Sequence, residues 1–433
     1  MDTNCYGLIH GRKKMSQARC KILFVTPGLR QGGAERQLLE LMRRLPERFA
    51  SVLCLFEAEE VHYQQYLPPG APHHVLGTRH MSWRGLKRLA AVITSEQPTI
   101  VHSYRDRANF WTRMAIRLFG LQVPVLITSV RNRRIGLPNL LTEASFAKFT
   151  DRVLCNSVGV QSELISWARV PADKIEVIPN FVDLASFRPA KAGERQAARQ
   201  RWGLGDSDRV LLLPGRISVQ KHQLGLLWAL HNLRRKGRLP PGARLLLAGR
   251  DRDPVYARVL RWLVRRWQLA EQVRLLGPVA DVLSLYHAAD VVVLPSLYEG
   301  MPNAAIEAHA CGRPVLASHA ANIDGLVRPG ETGAEVPTAD GRALAEALDQ
   351  VLHAPAGDLE VMGEKARARV AAALDNRLLI ERFTALYDSC VMGKGQPVAG
   401  PEIAHPRREE TGMTGPARTE GGEEKLPAGL RQA

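Results

Sequence analysis

Residues 289–318, ADVVVLPSLYEGMPNAAIEAHACGRPVLAS, restrict what this chain can fold into more than any other stretch. The run 291–294 is short, apolar and β-branched, as expected of a strand buried on both faces of a parallel sheet. Pro295 ends it, and a loop follows that closes on Glu299 and Gly300. Pro302 suits the first position of a helix, where its missing N–H costs nothing. That helix is expected to run past Ile306 to about Ala310, stop near Gly312 and give way to a second buried strand over 314–317.

In an open parallel sheet, ligands bind beyond the carboxyl ends of the strands, where helix starts present unpaired N–H groups to anions. Gly300 allows close approach of the backbone, and the amides of Gly300, Met301 and Asn303 can then face a phosphate or a sugar hydroxyl. Glu299 and Glu307 bracket that turn, and a carboxylate accepts two hydrogen bonds from a vicinal diol of the kind ribose and most hexoses carry. One pocket can therefore hold a diphosphate with a diol at each end, which describes a nucleotide sugar. The plainer reading is that a glutamate at a helix start only complements the dipole, and that one on an outer face is only solvated. The whole ordered phrase, S-x-x-E-G-x-P-N-x-x-x-E-A-x-A-C-G-x-P-V over 296–315, separates the two, because it resembles the signature of retaining glycosyltransferases of family 4.

Two further phrases are similar to the same family. G-G-A-E-R at 32–36 follows an expected strand over 21–26, and Gly32 and Gly33 can adopt positive φ to make a nest of amides at a helix start. The resemblance implies a glycine loop facing the donor diphosphate and the acceptor; a G-G pair is otherwise an ordinary strand-to-helix turn. P-G-R-x-x-x-x-K at 214–221, after an expected strand over 209–213, resembles the motif whose Arg and Lys hold the donor diphosphate. Arg216 and Lys221 would then stabilise the charge that grows on phosphate oxygens as the glycosidic bond breaks. Family members commonly carry glycine after this lysine, where the chain has His222. They also commonly place a histidine after the strand expected at 125–128; SVRNRR stands there instead, which leaves a catalytic histidine unassigned. On the acceptor side, Arg131 and Asn132 either contact the acceptor or the sugar or belong to a solvated basic patch, and His102 either joins them or is a structural histidine.

Strands and helices alternate along the rest of the chain as expected of βαβ units. Strands are predicted at 51–56, 73–76, 100–102, 152–155, 175–178, 244–247 and 273–276, and helices at 83–96, 108–119, 139–149, 158–167, 224–235, 282–287, 341–352, 359–373 and 377–387. This divides the chain into a polar leader over 1–19, with Met15 an equally good start, an N-terminal Rossmann-like acceptor domain over 20–188, and a C-terminal Rossmann-like donor domain over 189–392. A tail over 393–433, poor in large apolar residues, is expected to be disordered. The charged stretch 191–201 reads as a link between the domains, and P-N-x-V-D at 179–183 resembles the family's exit from the first one.

The chain's 433 residues, 45% hydrophobic and 24% charged, suit a soluble globular protein of two or three domains. No apolar run reaches the length of a membrane span, and the start is too polar for a signal peptide. Six scattered cysteines with no C-x-x-C pair argue against a zinc site or a disulfide framework and fit a reducing cytoplasm. D-x-D occurs at 206–208 and 251–253, without further oxygen ligands beside it, so no metal site is assigned. A net charge of +16 calls for an anionic partner; up to Arg188, 26 basic and 15 acidic side chains leave +11 on the first half. A nucleic acid would answer that charge, but interleaved aromatics and a recognisable binding motif are missing. An anionic membrane surface answers it as well.

The resemblance thus implies an α/β chain of GT-B architecture, two Rossmann-like domains facing each other across a cleft. It further implies a metal-independent, retaining transferase without cofactor that takes a nucleotide-diphosphate sugar, most often uridine-linked, to a glycan or lipid-linked acceptor. Arg216, Lys221 and Glu299 would be catalytic, and Gly32, Gly33, Gly300, Met301, Asn303 and Glu307 would bind the donor. A nucleotide-sugar epimerase or a phosphorylase would use the same architecture.

Overall fold

In the computed structural model of the chain, residues 20–29, 32–57, 67, 70–78, 82–131, 137–322 and 324–393 are described, with the backbone alone over 137–141. The expected leader, the tail beyond Gly393, and Asn132 lie outside the described residues.

Two parallel sheets organise the rest. The first joins β1 (Cys20–Thr26), β2 (Phe49–Leu55), β3 (His73–Val75), β4 (Ile100–Tyr104), β5 (Val125–Val130), β6 (Arg152–Cys155) and β7 (Ile175–Val177) in the order β3-β2-β1-β4-β5-β6-β7. The second joins β8 (Arg209–Pro214), β9 (Ala243–Ala248), β10 (Val273–Gly277), β11 (Val291–Leu294), β12 (Val315–Ser318) and β13 (Gly333–Val336) in the order β10-β9-β8-β11-β12-β13. Strand order reverses between β1 and β4 in the first sheet and between β8 and β11 in the second, with both pairs parallel. Such reversals open a crevice at the strands' carboxyl ends, and the glycine loop, Arg216 and Glu299 follow β1, β8 and β11. Topology alone therefore sends the three sequence phrases to the two crevices.

The helices form where apolar residues recur on one face. In α2 (Trp83–Glu96), Leu86, Leu89, Ala90 and Ile93 are buried, and Ser82 caps the start by accepting from the Gly85 amide at 3.1 Å. The other helices of the first half are α1 (Gly33–Arg44), α3 (Asp106–Leu118), α4 (Leu137–Phe146) and α5 (Val158–Ser166). Those of the second half are α6 (Glu194–Arg201), α7 (Gln223–Arg235), α8 (Pro254–Arg266), α9 (Val282–Ala288), α10 (Asn303–Ala310), α11 (Gly341–His353), α12 (Ala356–Ala373) and α13 (Asn376–Val391).

Four features depart from the sequence reading. The stretch read as a link holds α6, which turns Arg195 and Arg199 onto Asp290 at 2.6 and 3.0 Å; charge pairs rather than an apolar stripe seat it. Strand β13 has no counterpart in the prediction, because GAEV shows neither a buried run nor a clean alternation. Nor has α8, although Asp253 before Pro254 is a start signal: its carboxylate accepts from the Val255 and Tyr256 amides. The D-x-D of 251–253 is thus a helix cap, with Asp251 paired to Arg261 at 2.7 Å.

The fourth departure changes the organisation of the molecule. Helix α13, expected with the second domain, packs into the core of the first: Leu379, Phe383, Leu386 and Tyr387 join Ile22, Phe24, Phe49 and Ile100 in one buried cluster. The chain crosses back where the Val182 amide donates to the Leu374 carbonyl and the Asn376 amide to the Val182 carbonyl. Burying a phenylalanine such as Phe383 contributes on the order of 2–3 kcal/mol, so this helix ties the two halves with real energy.

Candidate functional site

Between the two halves lies a cleft of about 910 Å³. Its N-terminal wall includes Gly32, Gly33, Glu35, Arg36, Arg105 and Arg131, and its C-terminal wall Arg216, Lys221, Arg252, Glu299, Gly300 and Glu307. Met301 and Asn303 line it too, so every donor-side residue singled out in the sequence reaches one space.

The catalytic candidates are held in place by short local contacts. Lys221 Nζ donates to Glu299 Oε1 at 2.5 Å, with both side chains nine-tenths or nearly so out of solvent. Lys221 ends a single turn over 219–221, and Gln220 of that turn donates to the Tyr298 carbonyl at 3.0 Å and accepts, through its own carbonyl, the Leu297 amide. These bonds tie the loop bearing Arg216 and Lys221 to the loop bearing Glu299. His222, where the family commonly has glycine, adopts φ 53° and ψ 38°, the left-handed region that glycine enters without cost. Arg216 donates to Gln220 at 3.4 Å. Burial, followed by the cations Arg252 and Arg105, lowers its pKa from the ordinary arginine value. An anion entering between these guanidinium groups relieves that repulsion.

Glycine serves close approach here, and not the positive φ expected of it. Gly32 is extended at φ −165°. A Cβ on Gly32 would meet Glu35 Oε2 at 2.4 Å, and one on Gly33 would meet Asn303 Nδ2 at 2.6 Å. At Gly300 the close neighbour is protein: a Cβ there would meet the Arg131 carbonyl oxygen at 2.4 Å and Asn156 Oδ1 at 2.9 Å. Gly33 and Gly300 thus let the two walls touch across the cleft, while Gly32 makes room for Glu35 of its own wall. Pro302 stands one residue before the first helical position, as the N-cap of α10.

Several residues absent from the sequence-based site do the joining. Asn180, in the P-N-x-V-D phrase, donates to the Met301 carbonyl at 2.9 Å and to Asn303 Oδ1 at 2.7 Å, and accepts from Arg131 Nη1 at 3.0 Å. Asn303 returns a bond to the Gly33 carbonyl at 3.1 Å. Arg36, in the G-G-A-E-R phrase, donates to Glu307 Oε1, while buried Tyr286 donates to Oε2 at 2.8 Å. Arg105 donates to buried Glu35 at 2.5 Å from a backbone at φ 76° and ψ 155°, a region almost reserved for glycine. Asn180 and Arg36 sat inside quoted phrases, but nothing in their spacing tells that they span a cleft.

On the acceptor side the two described candidates part. Arg131 lines the cleft, with its guanidinium 5.2 Å from the Tyr104 ring centre. His102 does not. It is fully buried, its ring nitrogens 2.8 Å from Tyr387 Oη and Ser129 Oγ, and burial followed by the Arg131 charge holds its pKa well below the ordinary histidine range. Of the two readings of His102, the structure supports the structural histidine, joining β4, β5 and α13, and the alternative of an acceptor contact is corrected.

The chain is similar to known glycosyltransferases in sequence and in fold. Residues 31–186 match the family model described as Glycosyltransferase Family 4, and residues 208–354 that described as Glycosyl transferases group 1. A D-inositol 3-phosphate glycosyltransferase of Mycobacterium marinum is 31% identical over 291 residues, 65% of this chain and 59% of that one. Its counterpart in Mycobacterium bovis is 32% identical over 59% of this chain and 51% of its own. The chain thus spans little more than half the length of these relatives. Among solved structures, Anabaena Alr3699/HepE in complex with UDP and glucose superposes with a TM-score of 0.75 at 22% identity, covering 86% of this chain and 100% of that one. WaaG, a glycosyltransferase involved in lipopolysaccharide biosynthesis, superposes at 0.67 and 15% identity over 84% and 99%. Two α/β halves of GT-B type, a cleft between them and both family models in chain order place this chain in glycosyltransferase family 4, among the glycosyl transferases group 1.

Proposed function

We propose that this chain transfers a sugar, with retention of anomeric configuration and without a metal, from a nucleotide-diphosphate sugar to a glycan or lipid-linked acceptor. The observation that carries the reading is the convergence of Arg216, Lys221, Glu299 and Glu307 on one cleft opposite the glycine loop. A uridine-linked donor is favoured by the UDP bound in HepE.

In this reading Arg216 and Lys221 hold the donor diphosphate and Glu307 takes the ribose diol. Glu299 and the amides of Gly300, Met301 and Asn303 grip the sugar. As the bond from C1 to the phosphate oxygen breaks, the electron pair goes to the phosphate, where the two cations stabilise it. The acceptor oxygen then bonds C1 on the face the phosphate leaves, and its proton passes to the departing phosphate. Lys221, paired with Glu299 at 2.5 Å, exchanges part of that contact for the phosphate when donor enters. The first half, with α13 returned to it, supplies the acceptor wall, where Arg131 is a candidate contact and Asn132 follows it in sequence.

The test begins with a panel of nucleotide sugars scored for slow donor hydrolysis, followed by Lys221→Ala and Glu299→Ala with the best donor. Each substitution is expected to lower kcat/KM about a hundredfold, near 3 kcal/mol of transition-state stabilisation. Turnover within a few-fold of the unaltered protein in both would refute the assignment, and nucleotide released without acceptor at the full rate would favour a different reaction class.

A membrane-bound acceptor is favoured by one surface. Trp83, Leu118 and Phe149 are 58%, 51% and 40% exposed; Lys87 lies over the Trp83 ring, Arg117 and Lys148 over that of Phe149, and Phe119, next to Leu118, packs on Trp83 at 5.3 Å. Among the described residues no helix is long and apolar enough to cross a membrane.

A further inference from the structure

Glu307 is 5% exposed and lines the cleft, yet both of its oxygens already have protein partners. Tyr286 Oη donates to Oε2 at 2.8 Å from the C-terminal half, and Arg36 donates to Oε1 from the N-terminal half. An ionised carboxylate has about four acceptor lone pairs, so one remains on each oxygen. Resting on the reading that Glu307 takes the donor ribose, we propose that Arg36 and Tyr286 are positioning residues that clamp this carboxylate from both halves, leaving its two open lone pairs for the 2′ and 3′ hydroxyls.

The clamp is braced on its own side. Tyr286 has no exposed surface, and its ring lies edge-on to Phe187 with centroids 6.1 Å apart. The Arg36 guanidinium rests over the same Phe187 ring at 5.2 Å. Burial, with the Glu307 charge adding to it, raises the Tyr286 pKa well above the ordinary tyrosine value, so its hydroxyl remains a donor. Phe187 belongs to the segment between the two sheets, so the clamp is assembled from α1, α9, α10 and that crossing. Recognition of the ribose in the C-terminal half is then complete only when the N-terminal half is in place. This couples donor reading to the approach of the acceptor wall.

The test compares binding of a nucleoside diphosphate with that of its 2′-deoxy form, by calorimetry on the full chain, using whichever of UDP, GDP and ADP binds tightest. The unaltered protein is expected to prefer the ribose form at least tenfold. Arg36→Ala and Tyr286→Phe are expected to weaken the ribose form about tenfold while leaving the deoxy form within twofold. Equal weakening of both forms would mean general loosening, and tighter or unchanged binding would mean that Arg36 merely occupies the site; either result overturns the proposal. Glu307→Ala separates the two layers of argument. If it keeps the preference of the unaltered protein, the ribose reading itself fails; if it abolishes the preference while Arg36→Ala and Tyr286→Phe keep it, only the clamp falls.

Discussion

His309, the last residue but one of α10, has no exposed surface, and burial, reinforced by Arg369, lowers its pKa from 6.5 to about 3. An unfolded chain therefore takes up a proton there at a pH where the folded chain does not. The histidine's contribution is fully present above about pH 6.5 and is lost as pH falls from there toward 3, by about 1.4 kcal/mol per pH unit. His102, buried and neutral as well, acts in the same direction. Urea unfolding between pH 7.5 and 5 should show this loss, and His309→Met should reduce its slope by up to one proton. An unchanged slope would refute the account. Single residues also show where a sequence is readable. The residue types at Arg216, Lys221, Glu299 and Glu307 suit anion and diol binding, and the ordered phrases that hold them carry the family resemblance, whereas the fate of His102 depends on Tyr387, 285 positions away.

Among elements, the turn from β11 to α10 carries the greatest constraint. Its Gly300 abuts a backbone carbonyl of the opposite half, which cannot swing aside as a side chain would. Gly300→Ala is expected to push the walls apart, costing about 1–3 kcal/mol of stability and roughly a hundredfold in kcat/KM. Gly357→Ala at the start of α12, where a Cβ meets nothing within 4 Å, is the control and should be neutral or stabilising. Thermal melts and kinetics on the two variants check this, and a Gly300→Ala protein as active as the control would show that the contact yields. At this scale, buried apolar runs such as 291–294 announced their strands, because burial on both faces leaves an unbroken apolar segment. The helix α6 hid in a charged stretch because its partners are Asp290 and backbone carbonyls rather than a core.

For the molecule as a whole, the +16 charge and the aromatic and basic surface around Trp83, Leu118 and Phe149 lead to one expectation. The protein should sediment with vesicles containing anionic lipid and much less with neutral ones, and Trp83→Ala with Lys87→Ala should weaken that binding; equal binding to both kinds of vesicle removes the electrostatic case. Sequence by itself determined that two parallel sheets would form, that the glycine loop, the Arg and Lys pair and the two glutamates would sit at strand ends, and which family they resemble. Those properties rest on local periodicity and on loop chemistry close in the chain. Only tertiary structure decided that α13 returns to the first core, that His102 is sealed beneath it, and that Asn180 and Arg36 reach across to the donor loop and Glu307. The physical reason is that apolar patterning specifies which face of an element is buried, whereas the distant surface that covers it is selected by packing over the whole chain.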